Sequence, residues 1–75
     1  MTAELRHPPT RPSWDCATCG QPWACHPARA ELRERYAHDP AGLAIHMSTQ
    51  LDRAAREIPA ADPNDLYERF VAWTR

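Results

Sequence analysis

"WDCATCGQPWACH", residues 14–26, gathers three cysteines and a histidine into one short stretch broken by a proline. Cys16-Ala-Thr-Cys19-Gly20 has the spacing of a metal knuckle. Two thiolates two residues apart can face one ion while the amides of the turn face the sulfurs. A glycine directly after the second cysteine permits the left-handed backbone that such a turn often needs. Cys25 follows a loop, "GQPWA", long enough to fold back to the same point, and Pro27 then opens a helix whose N-terminal dipole favours a nearby thiolate. Three thiolates and one further ligand would close a tetrahedral zinc site.

Working outward, chains of this length usually need a staple: a disulfide framework, a metal or a partner subunit. Seventy-five residues form one small domain, in which an apolar core alone is marginal. The opening "MTAELRHPPTRPS" is polar and proline-rich, without the apolar core of a leader, and no stretch approaches the length of a membrane span. A cytoplasmic protein with reduced thiols is therefore expected, and an odd cysteine count argues the same way. A net charge of −1 gives no broad face for nucleic acid. All nine basic residues are arginine, a composition bias that carries little chemistry.

Residues 1–12 hold Pro8, Pro9 and Pro12 without apolar periodicity and are expected to be a flexible tail. Residues 13–75 are expected to form a single zinc-stapled domain of the all-α class, with three helices separated by prolines. The first runs from position 27 to about 38, with Ala28, Leu32 and Tyr36 one turn apart. The second starts at Pro40 behind Asp39 as N-cap and carries the stripe Leu43, Met47, Leu51, Ala54 or Ala55, and Ile58 up to Pro59. The third is announced by Asp62 and Pro63 and buries Leu66, Phe70 and Trp73. No segment alternates as a strand would.

The fourth ligand is less determined. His26 is closest and is the favoured candidate beside Cys16, Cys19 and Cys25, although neighbouring ligands in one chain demand awkward geometry. His38, His46, the tail residue His7, Asp15 or a water are the alternatives. A thioredoxin-like redox pair would need strands and a helix at the second cysteine, where Gly20 and Pro22 stand instead. A deaminase-type zinc would need a His-x-Glu motif, and none of the four histidines begins one. Arg29 and Arg33 read as a solvated helix face.

Two resemblances attach to these residues. "WDCATCGQPWACHPAR", followed by "LRERY" and a closing "LYERFVAWTR", resembles a group of very short actinobacterial proteins that share a W-x-C-x-x-C…W-x-C-x-x-A-R pattern and a terminal R-F-x-x-W. The likeness covers roughly residues 12–75. Some members carry the label flavin reductase, yet this chain has no phosphate-binding glycine loop and little room for a flavin pocket. The spacing of Cys16, Cys19 and Cys25 is also similar to that of the WhiB-like iron–sulfur regulators. That likeness implies a four-iron cluster and a redox- or gas-sensing role. The chain lacks the upstream cysteine, the tryptophan-glycine turn and the basic tail of that family, so His7, Asp15 or His26 would have to replace a ligand.

The expectation is a zinc-binding protein that binds a protein partner or a second copy of itself, rather than an enzyme. An iron–sulfur regulator is the alternative, and a redox-enzyme accessory the next. Trp14 and Trp23 bracket the knuckle and are expected to cover it, with Trp23 left partly exposed as an interface anchor.

Overall fold

A computed structural model describes residues 5–74. The architecture is three helices behind a short N-terminal hairpin. β1 (Pro9–Thr10) pairs antiparallel with β2 (Asp15–Cys16), and α1 (His26–Arg35), α2 (Pro40–Glu57) and α3 (Pro63–Phe70) follow. A 3-10 turn, Ala72–Thr74, closes the chain. The helices stand where the proline and aspartate punctuation puts them. Asp39 accepts a hydrogen bond from the Gly42 amide at 2.9 Å, and Asp62 one from the Asn64 amide at 2.8 Å. Each side chain thus satisfies an amide that the first helical turn leaves without a partner. α1 ends about one turn earlier than expected, because Ala37 and Asp39 bond back to Glu34 and Tyr36 instead of continuing the helical ladder.

The core forms where the helical stripes meet the knuckle. Leu43, Met47 and Ala54 of α2, Leu66 and Phe70 of α3, and Ala28 and Leu32 of α1 are buried together with Trp14 and Trp23. Phe70 lies against both tryptophans, at centroid distances of 5.5 Å from Trp14 (edge-on) and 5.7 Å from Trp23. The two indoles are 5.9 Å apart. This aromatic trio joins a polar, loop-rich segment to a helical one, and full burial of each large side chain is worth roughly 2–3 kcal/mol.

Three expectations change. Residues 5–12 are tied down: Leu5 packs on the core and Pro9–Thr10 forms a strand. Residues 1–4 of the expected tail lie outside the described residues. The chain is not purely helical, because a two-residue ladder carries no alternation for a reader of sequence to detect. Trp23 is 2% exposed, so it is a core side chain rather than an anchor facing a partner.

Candidate metal centre

Ligand atoms of His7, Cys16, Cys19 and Cys25 all lie within 4.8 Å of one another. His7 Nδ1 is 3.3 Å from Cys16 Sγ and 3.7 Å from Cys25 Sγ. All three cysteines are free thiols. The group could hold a metal ion.

The local backbone explains why these four meet. Gly20, at φ +75°, turns the chain after Cys19, and its amide bonds to the Cys16 carbonyl at 2.9 Å. That turn aims the amides of Thr18 and Cys19 at Cys16 Sγ, 3.4 and 3.5 Å away. The Cys16 amide donates to the Gln21 carbonyl, and an Asp15–Pro22 bridge brings the chain back past β2. Cys25 is the N-cap of α1, and its side chain makes no capping hydrogen bond. It is held instead beside the other sulfurs.

His7 reaches the cluster because the segment before it is laced to the knuckle. The Ala17 amide donates to the Pro8 carbonyl at 2.8 Å, and the Thr18 hydroxyl donates to the Arg6 carbonyl at 2.8 Å. Trp23 Nε1 donates to the carbonyl of His7 itself, also at 2.8 Å. These bonds to main-chain carbonyls carry the segment around His7 up to the three sulfurs. Here the structure departs from the favoured ligand set. His26, the first residue of α1, is exposed and not in the cluster. The residue adjacent to Cys25 is carried outward as the helix begins. His38 is exposed after α1, and His46 stacks on Tyr36 at 5.8 Å with its ring pushed down in pKa by burial and by Arg53. Asp15 is exposed in β2 and is not in the cluster either.

The thiols are electrostatically unequal. Burial raises Cys16, but the Cys19 and Thr18 amides and His7 outweigh it and bring its pKa to about 6. Cys25 is pushed up to about 11: burial raises it most, the nearby Ala28 amide lowers it by less, and Cys16 and Cys19 raise it further. Three sulfurs this close cannot all ionise without a cation among them. A bound metal would remove that conflict.

Arginines missed by the sequence reading brace the site. Arg69 of α3 donates to the carbonyls of Trp23 and Trp14, each at 2.8 Å. Arg29 donates to the Ala24 carbonyl at 2.8 Å. Arg33 donates to the Trp73 carbonyl at 2.7 Å, and both Arg29 and Arg33 lie over the Trp73 ring. Arg33 is exposed, as a solvated face would have it, and with the half-buried Arg29 it also ties α1 to the loop and the 3-10 turn. Arg11 pairs with Glu57, which also accepts from Trp14 Nε1 at 3.1 Å, fastening the hairpin to α2. Arg69→Ala leaves two loop carbonyls without charged donors and is expected to cost about 2–3 kcal/mol. In a domain of this size that lowers the melting temperature by roughly 10–20 °C. Arg69→Lys should recover less than half of the loss, because one ammonium cannot reproduce the planar fork. Thermal melts of the three proteins check this.

No family model, no curated protein and no solved structure matches the chain. The site is read from its own geometry.

Proposed function

We propose that the chain is a small zinc-stapled module in which His7, Cys16, Cys19 and Cys25 hold one Zn²⁺, and that its role is binding rather than catalysis. The observation that carries this reading is the spacing of the ligand atoms. Zinc with sulfur at about 2.3 Å and nitrogen at about 2.0–2.1 Å in a tetrahedron separates N from S by about 3.5 Å. The two His7–cysteine distances, 3.3 and 3.7 Å, straddle that value. A four-iron cluster sits between its ligands and spreads them wider than a single ion does, so atoms gathered within 4.8 Å favour the ion.

Four protein ligands close the coordination sphere and leave no position for an activated water, which suits a structural ion. Three thiolates on a dication carry one net negative charge, and Arg29 and Arg69 line the groove beside Cys19 and Cys25 to compensate it. Binding needs a surface, and α2 with α3 offers one. A groove of about 410 Å³ is lined by Leu51, Ala55, Ile58, Pro59, Pro63 and Leu66. Further along α2, Ile45 is 69% exposed.

Zinc analysis of the purified protein and of single variants tests the reading. One zinc per chain is expected. His7→Ala should lower zinc affinity by about two orders of magnitude, a quarter share of the free energy of a structural site. His26→Ala should leave it unchanged. Loss of zinc from His26→Ala with retention in His7→Ala would replace this ligand set, and a brown protein containing iron and sulfide would replace the metal.

A further inference from the structure

Resting on that zinc reading, we infer that Cys19 is the site at which hydrogen peroxide oxidises the centre, and that a Cys16–Cys19 disulfide then expels the metal. The three sulfurs differ in access. Cys16 and Cys25 are buried, whereas Cys19 is exposed on a turn whose residues 17–20 all face solvent. Cys19 also lines a groove of about 320 Å³ whose walls include Arg29 and Arg69. Cys16, at 3% exposure, and Cys25, at 7%, present almost no surface to a solute, whatever their ionisation. An oxidant arriving from water therefore meets Cys19 first, beside two cationic side chains that favour an anionic leaving group.

The chemistry closes with peroxide as the sole oxidant. The Cys19 thiolate attacks one peroxide oxygen; the S–O bond forms, the O–O bond breaks, and hydroxide leaves and is protonated to water. The Cys16 sulfur then attacks Cys19 sulfur; the S–S bond forms, the S–O bond breaks, and the second oxygen leaves as water. Two thiolates lose two electrons in total and one peroxide becomes two waters. Cys16 is the partner because it belongs to the same turn, so closure moves only residues 16–19. Cys25, also nearby, is fixed as the first cap of α1. Zinc left with His7 and Cys25 alone has lost half its ligands and departs.

The test begins with protein loaded with one zinc. Peroxide is added in steps, zinc release is read with a chromophoric chelator, and a sulfenate-trapping dione with peptide mass mapping locates the first adduct. The expected result is an adduct on Cys19, then a Cys16–Cys19 disulfide with one zinc released, reversed by dithiothreitol and added zinc. Cys19→His keeps four ligands, and its zinc release should be slower by about tenfold or more. A first adduct on Cys16 or Cys25, a disulfide to Cys25, zinc retained under peroxide, or unchanged release from Cys19→His each overturns the inference while the zinc reading stands. A chain that takes up no zinc before peroxide is added overturns both.

Discussion

Replacing Cys16 with serine is expected to abolish the proposed zinc binding and to melt the N-terminal third of the domain. Cys16 is the most enclosed of the four proposed ligands, buried and facing two amides and the His7 ring. A serine oxygen there is a poor zinc ligand and leaves a polar group in a site shaped for sulfur. Structural zinc sites contribute apparent binding free energies of about 10–16 kcal/mol at neutral pH. A chain of this length has roughly 4–11 kcal/mol of total stability. Losing even half the metal's contribution therefore exceeds or exhausts that reserve. Zinc affinity should fall by about three orders of magnitude or more, and the melting temperature by about 20 °C or more. A strong chelator should do the same to the unaltered protein and nothing further to Cys16→Ser. Circular dichroism with metal analysis reads both, and an unchanged melt after verified zinc removal would sink the staple.

Phe70→Ala tests the other half of the molecule. Phe70 is fully enclosed and touches both knuckle tryptophans, so truncation opens a cavity at the joint between hairpin and helices. The cost should be about 3–5 kcal/mol, or about 20 °C in melting temperature. Zinc should nevertheless remain bound, because the ligands lie within residues 7–25 and are held by hydrogen bonds among themselves. The expected pattern is weakened helicity and loss of the near-ultraviolet tryptophan signal with one zinc retained. Zinc lost as readily as in Cys16→Ser would show that knuckle and helices form one inseparable unit.

The helices were legible because their signals are local. Asp39-Pro40 and Asp62-Pro63 mark starts through capping and fixed φ, and the Leu43–Met47–Ala54 stripe repeats at helical steps. The cysteine cluster was legible for the same reason, since its spacing is written in ten residues. His7 was not. It lies nine residues before Cys16, across a segment whose prolines erase periodicity, and it is placed by bonds from Ala17, Thr18 and Trp23. One signal pointed its way: the awkwardness of adjacent ligands weighed against His26. The arginine struts were hidden too, because their acceptors are backbone carbonyls 40 to 55 residues away for Arg33 and Arg69. Carbonyls carry no sequence signature. The burial of Trp23 has no signature in composition, because three aromatic rings cover one another only once the fold brings them together.

All four proposed ligands lie between residues 7 and 25, ahead of every helix. On a ribosome the set is complete before residues 26–75 are added, a stretch that takes several seconds at roughly 5–20 residues per second. Closing so short a loop costs little chain entropy. If the four hold an ion as proposed, the nascent chain can take it before α2 and α3 exist, and the loaded hairpin is then the template on which the later helices settle.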